Sequence, residues 1–522
     1  MDEKSGSSHL ESGTPEMVKA LPDGIRKDAG LVLDTEGLDG QLSLKVAADG
    51  HTVLLPQPTD DPRDPLNWSW KRKHLLLLSV AWAALCTDFT AAAGTAIIFN
   101  QAGQWHISPN RANDPNAILV LFNGLGGLVW VPLSSIWGRA PVLFWTTIAG
   151  LAVNLGAAVA NRYSVYFALR VLSGLFLTSG QTMTIAFLKD LFFFHERARK
   201  IGLWAVLYIA SPYLGPCLAN FVISGTHHWP DIFWMCSGVV GLQLILVLAF
   251  VDETWYNRDL PDSEQPPRQS GIVGRLMRLT GIWQIQHSNY FHDTIPVCKR
   301  FFATITKPSF ALICLSYFLT FAWAIGVNIS TNLLFFQPKE AGGAYGYTTK
   351  TIGYLYFANI VGVFLGEIFG HYFNDYMAHR YIKQHKGVFK PEVRLWTIYI
   401  SIVFMVAALI LIGQSFENAL SVVAVIFGLG IFAFGVMTMS VSVTAYALDS
   451  YPNAPAELSC WLNFARTAGG FAVGYFQQPW LERVGADASF GTQAGIVAFA
   501  AIPVVLAHIY GASMRQKHGP LD

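Results

Sequence analysis

Four ionisable residues lie deep inside long apolar stretches: Asp88, Arg170, Glu367 and Arg466. An ionised side chain at the centre of a hydrocarbon layer costs about 3 kcal/mol or more on insertion scales, so each needs a partner or a watery cavity. Groups held in such places suit the uptake and release of protons or the binding of charged solutes. Asp88 is the only charge between Leu75 and Phe99, and Arg170 the only one between Val165 and Leu188. Asp88 falls about thirteen residues, roughly 20 Å, into its stretch, and Arg170 about seven residues, roughly 10 Å, into the returning one, which sets both roughly 10 Å from the far face. Equal depth predicts an Asp88–Arg170 pair that loads and releases a proton as it opens and closes; a purely structural ion pair is the alternative. Glu367 stands in Gly362-Val363-Phe364-Leu365-Gly366-Glu367-Ile368-Phe369-Gly370, whose small residues are spaced for close helix contact. Three readings of Glu367 remain open: a proton or cation site, a cavity pair with Arg466, or a water-exposed position near the inner face. His227-His228 has no partner ligands, and no metal site is read.

The elements that must carry these residues are membrane spans. The chain has 522 residues, 52% hydrophobic and 13% charged, too apolar for an ordinary soluble domain. Twelve runs are long enough, at about 1.5 Å per residue, to cross a core of about 30 Å. The first six begin near Leu75, Ala117, Pro141, Val165, Ile201 and Ile232, and the second six near Ser309, Thr351, Leu395, Ala419, Leu458 and Ser489. The expected fold is an all-α membrane protein of two six-helix bundles. Its boundaries are a disordered tail over 1–73, a first bundle over 74–251, a linker loop over 252–307, a second bundle over 308–512 and a tail over 513–522. Lys71, Arg72, Lys73, Arg139, Lys200, Lys383, Lys390 and Arg515 fall on one side, whereas Arg111, Arg162, Lys339, Lys350 and Arg483 fall on the other, which predicts that both termini are cytosolic. Within the linker, Ile272, Leu276, Leu279 and Trp283 recur at helical spacing beside Arg275 and Arg278, the pattern of a helix on an anionic leaflet or of a partly ordered loop. The linker has no sustained apolar core and reads as a tether. The halves echo each other, since the fourth span ends in Asp190 followed by Glu196 and the tenth in Asp449 followed by Glu457. Repeated six-helix halves imply secondary transport of a small molecule.

Several segments carry a family resemblance from about Asp61 onward. Asp64-Pro65-Leu66-Asn67-Trp68-Ser69, Leu191-Phe192-Phe193-Phe194-His195-Glu196-Arg197, Gly387-Val388-Phe389-Lys390-Pro391-Glu392-Val393-Arg394-Leu395 and Asp449-Ser450-Tyr451-Pro452 resemble the fungal branch of the 12-spanner drug:proton antiporter family, within the major facilitator superfamily. That superfamily's loop between spans two and three reads Gly-x-x-x-Asp-Arg-x-Gly-Arg-Arg. Here Leu133-Ser134-Ser135-Ile136-Trp137-Gly138-Arg139-Ala140 keeps Gly138 and Arg139 and has Ser135 in place of the Asp. Ser211-Pro212-Tyr213-Leu214-Gly215-Pro216 is similar to the span-five motif of antiporters, with Ala219-Asn220 where Gly-Gly usually closes it. The resemblance places Arg170 at an arginine tied to proton handling. It implies proton-coupled export of a small organic compound, driven by the proton gradient without a cofactor. Uptake of a polyamine or other cationic nutrient is the alternative within the same architecture, and a non-transporting receptor the alternative outside it. The implied protein is a monomer in the plasma membrane, with the vacuolar membrane as a second address, and its partners are lipid and substrate, not nucleic acid. No His-Glu-x-x-His, Gly-x-Ser-x-Gly or phosphate-loop pattern occurs, so an enzyme is not expected.

Overall fold

In the computed structural model the described residues are 45, 54, 56–258, 260–336, 345–385, 389–519 and 521, without the side chains of 194, 195 and 197–199. Most of the expected amino-terminal tail, Lys339, Lys386 and the Gly387-Val388 step lie outside them. Every regular element among the described residues is helical. The long helices are α1 (Trp70–Trp105), α2 (Pro109–Trp137), α3 (Arg139–Ala158), α4 (Tyr163–Leu191), α5 (Phe194–Thr226), α6 (Pro230–Phe250), α7 (Pro308–Phe336), α8 (Thr349–Gln384), α9 (Leu395–Asn418), α10 (Val422–Ser450), α11 (Pro455–Val484) and α12 (Ala486–His518). Local chemistry sets several starts. The Ser69, Ser108 and Thr348 hydroxyls accept the first free amides of α1, α2 and α8, and Pro109, Pro230 and Pro455 occupy first-turn positions that have no amide to lose.

Eleven of these helices are long and apolar enough to cross a membrane; α11 is the exception. It carries Asn463, Arg466, Thr467 and Gln477, all buried, and packs between α2 and α7. These polar groups face other helices and need not satisfy lipid, while Tyr475 and Phe476 of the same helix face outward. Large apolar side chains such as Trp145, Leu203, Ile245, Val403, Phe427 and Ile509 face outward instead, a surface that water does not tolerate and lipid does. Contacts are dense within α1–α6 and within α7–α12, and the two sets meet along two seams, α2 with α11 and α5 with α8.

The ends of the predicted units differ from expectation. Residues 56–69, placed in the disordered tail, are folded onto the linker. Asp64 is fully buried, caps the turn Pro65–Asn67 by accepting from the Leu66 amide at 3.0 Å, and pairs with Arg258 at 2.8 Å. Asp61 accepts from the Tyr256 hydroxyl at 3.0 Å, and the Asn67 amide donates to the Thr59 and Asp61 carbonyls. The polar composition that suggested disorder is the set of groups that makes these bonds. At the other end, α12 runs on to His518, through most of the segment read as a tail.

The linker has a small core, contrary to the coreless tether expected: Trp283, Tyr290 and Phe291 pack with Trp255, Leu260 and Met277. Of the expected leaflet face, Ile272 and Leu276 on the helix Gly271–Thr280 are exposed, whereas Leu279 and Trp283 are buried, and the arginines turn inward. Arg275 donates to the Leu248 and Val251 carbonyls at the end of α6, and shares the Val247 carbonyl with the Val251 amide. Arg278 grips Asp252 with two bonds of 2.7 and 2.9 Å, and Arg72 adds a third at 2.8 Å. Burial alone pushes the Asp252 carboxyl upward, but the Arg278 bonds and charges outweigh it and hold the group below the usual carboxylate range. A folded-state pKa lower than the unfolded one means the stabilisation is complete above about pH 3.9 and is lost as pH falls through the lower native value. Arg278→Ala leaves Asp252 with Arg72 and the Glu253 amide and is expected to weaken linker docking by about 2 kcal/mol. Limited proteolysis of the purified protein at neutral pH should then cut the linker faster; an unchanged cutting rate refutes the assignment.

Candidate functional site: the central cavity and the seams

Asp88 and Arg466 meet at the centre of the molecule. Arg466 Nη1 donates to Asp88 Oδ2 at 2.9 Å, with the two residues 2% and 6% exposed. The partner of Asp88 therefore comes from the other set of helices, not from Arg170. The carboxylate also accepts from Gln181 Nε2 of α4 at 2.9 Å and from Asn123 Nδ2 of α2 at 3.4 Å. Arg466 donates to Asn463 Oδ1 at 2.8 Å, and its guanidinium lies 4.8 Å from the Tyr208 ring of α5 and 4.9 Å from the Phe321 ring of α7. One ion pair thus touches α1, α2, α4, α5, α7 and α11. Beside it is a cavity of about 650 Å³, open solvent included, lined among others by Asp88, Asn116, Tyr213, Phe321, Asn328 and Arg466.

Arg170 is 1% exposed and solves its desolvation differently. It donates to the Thr90 carbonyl at 2.8 Å, the Ala91 carbonyl at 2.7 Å and Asn116 Oδ1 at 2.8 Å, close to where α1 tightens into a 3-10 turn over Gly94–Ile97. The expected Asp88–Arg170 pair is not formed. Equal depth put both at one level, but carbonyl dipoles answer the guanidinium. Glu367 does not reach Arg466 either. It lies across the α5–α8 seam against Gly202, where a Cβ would collide with its carboxylate, and its Oε2 has no hydrogen-bond partner.

The span-five motif is explained atom by atom. A proline inside a helix orphans the carbonyl four residues earlier. Pro212 frees the Tyr208 carbonyl, which the Ser211 hydroxyl takes at 2.7 Å, and Pro216 frees the Pro212 carbonyl, which Asn328 of α7 takes at 2.7 Å. A Cβ at Gly215 would strike the Phe89 carbonyl of α1. Asn220, where the family pattern has Gly, donates to Asn332 Oδ1 of α7 at 3.0 Å, and Asn332 donates in turn to Thr95 at 2.9 Å and to Tyr356 at 2.7 Å. Pro216 therefore opens α5 to a bond from the other set of helices, whereas the carbonyl freed by Pro212 is satisfied within α5. Asn123, Gln181, Asn328 and Asn332 were missed in the sequence; amides inside apolar runs were the available signal, since such groups seek partners across helices.

Gly138 and Arg139 form the turn from α2 into α3. Gly138 has φ +93°, where side chains are strained, and leads into α3. Arg139 pairs with Asp190 at the end of α4. The missing loop Asp, Ser135, has a substitute from beyond α6: Glu253 accepts from the backbone amides of Arg139 and Ala140, each at 3.2 Å. The other half repeats the arrangement, with Arg394 before α9 paired to Asp449 at the end of α10 at 3.0 Å. The echo between Asp190 and Asp449 thus has a geometric counterpart. Between the sets, Arg300 of the linker helix Thr294–Ile305 pairs with Glu457 at the start of α11, and Lys189 donates to the Asn453 carbonyl at 2.9 Å.

Comparison with known proteins places this architecture. The family model described as Major Facilitator Superfamily matches residues 78–474. The chain is 24% identical over 478 residues to the multidrug transporter TPO3 of Candida glabrata, covering 89% of this chain and 72% of that protein. It is 24% identical to polyamine transporter 3 of Saccharomyces cerevisiae, covering 80% and 65%, and 23% identical to the multidrug transporter mdrA of Aspergillus fumigatus, covering 88% and 74%. Among solved structures, the partially occluded inward-open xylose transporter XylE of E. coli superposes with a TM-score of 0.57 at 13% identity, over 82% of this chain and 98% of that one. The human organic anion transporter MFSD10 gives 0.54 at 14%, over 85% and 100%. The long apolar helices, the paired halves and these matches together establish that the chain is a multi-pass membrane protein belonging to the Major Facilitator Superfamily.

Proposed function

We propose that this protein exports drug-like organic compounds in exchange for protons, and that the Asp88–Arg466 pair is the coupling device. The observation that carries the reading is the pair itself, a buried carboxylate and guanidinium joining the two sets of helices beside the central cavity. In this reading the charged pair holds α1 to α11. Protonation of Asp88 cancels its charge and releases Arg466, so the halves rock apart; deprotonation restores the hold. A cationic substrate competes with the proton and with Arg466 for the same carboxylate. Arg170 acts through α1, by holding the carbonyls of the turns that follow Asp88. Gly138, Arg139 and the Ser211–Pro216 motif supply the joints on which the halves move. The energy source is the proton gradient, and no cofactor takes part.

We take α11 as a twelfth span, giving two six-helix bundles, with both termini and the 252–307 linker in the cytosol and the monomer in the plasma membrane. Protease added to intact spheroplasts should leave the linker uncut, and cleavage from outside overturns this topology. The similarity to multidrug transporters supports export. The similarity to polyamine transporter 3 favours a second reading, proton-driven uptake of a polyamine. Reconstituted vesicles decide between them. With the vesicle interior acid, an antiporter concentrates a labelled drug inside; a symporter instead takes up spermidine when the acid side is outside. No movement in either direction across a broad panel removes both.

A further inference from the structure

A second cavity lies outside the central one. The crevice between α5, α8 and α10 encloses about 1030 Å³, open solvent included, which exceeds the central cavity. Its α5 wall is apolar and aromatic: Trp204 and Tyr208 stack at 4.9 Å with planes 9° apart. The facing wall carries three carboxylates, Glu367, Asp375 and Asp449, against a single guanidinium, Arg394. Arg394 is committed to Asp449 at 3.0 Å and to Asp375 at 3.3 Å, and His371 lies 3.6 Å from Asp375. Glu367 is left over, with Oε2 buried and unbonded. The Trp204 Nε1–H is also unbonded, in a residue only 4% exposed. A surplus of negative charge between low-dielectric walls concentrates cations, and an adjoining aromatic pair retains those with an apolar body.

The crevice also communicates with the coupling pair. Trp204, Tyr208 and Thr444 line both it and a smaller cavity whose other walls include Gln181 and Asn463. Those two residues bond directly to Asp88 and Arg466.

We infer that the crevice is a second binding site, for an organic cation, anchored on Glu367 and walled by Trp204 and Tyr208, from which the cation passes to Asp88. The inference rests on the reading of the Asp88 cavity as the transport site. It gives the unpartnered carboxylate a ligand and gives Gly202 a reason, since any side chain there would enter the space of Glu367.

The test is equilibrium binding of radiolabelled tetraphenylphosphonium to the purified full chain in lipid nanodiscs. Two sites per chain are expected in the unaltered protein. Glu367→Gln should remove one or weaken it at least tenfold. Gly202→Leu fills the crevice from the opposite wall, displacing the Glu367 carboxylate without removing its charge, and should cause the same loss, so the test survives if one variant fails to fold. A single site in the unaltered protein, or two sites of unchanged affinity in both variants, overturns the inference. Vesicle flux is read separately. Two sites with the expected losses but no proton-driven flux refute the exchange reading and leave the crevice standing, while proton-driven flux with a single site refutes the crevice alone.

Discussion

Asp88→Asn is expected to abolish proton-driven transport while the protein still reaches the membrane. The substitution keeps size; its amide oxygen can still accept from Gln181 or Asn123, and its NH2 can donate to the other once that amide flips its unbonded oxygen inward. It removes the charge that Arg466 answers. A buried guanidinium left with Asn463 and two aromatic faces is costly, and breaking a buried pair from one side typically destabilises by about 3–5 kcal/mol. Inactivity by itself would therefore not separate coupling from folding. The double variant Asp88→Asn/Arg466→Gln makes the separation. With both charges gone, most of the thermal stability should return, measured by unfolding of the detergent-solubilised protein, yet vesicle flux should no longer respond to an imposed pH gradient. Retention of gradient-driven accumulation by Asp88→Asn sinks the proposal outright.

Arg170→Ala is expected to be the other severe change. It deletes three charge-assisted bonds, to the Thr90 and Ala91 carbonyls and to Asn116, and leaves those acceptors and the space of a large side chain unfilled. Non-additive losses of about 1.5–3 kcal/mol per charged hydrogen bond make a total near 3 kcal/mol a fair expectation. Transport should fall at least a hundredfold. The informative variant is Arg170→Lys, whose ammonium keeps the charge but cannot span all three acceptors. If Arg170 works by fixing α1, the lysine variant transports slowly with an unaltered pH profile. A shifted profile assigns Arg170 a direct part in proton transfer instead, and full activity of Arg170→Ala leaves it no part in transport.

Much of this molecule is legible from its residues alone, because the features concerned are one-dimensional. Span lengths follow from the rise per residue, and the need for a partner at Asp88, Arg170, Glu367 and Arg466 follows from the cost of charge in an apolar run. The echo of Asp190 in Asp449 is also visible in the chain, and the helix-start arginines Arg139 and Arg394 meet these acids because the same local connection is built twice. Partner choice is another matter. Counting residues gives depth along a helix but not the direction in which a side chain points, which turns by about 100° per residue and depends on how each helix is rotated against its neighbours. Equal depth therefore suggested Arg170 for Asp88, whereas packing of α11 against α2 and α7 delivered Arg466. The same limit hid the meeting of Glu367 with Gly202 across the α5–α8 seam and the inward turn of Arg275 and Arg278 toward the end of α6. Each of these contacts joins residues far apart in the chain, and only the docking of whole helices brings them within bonding distance.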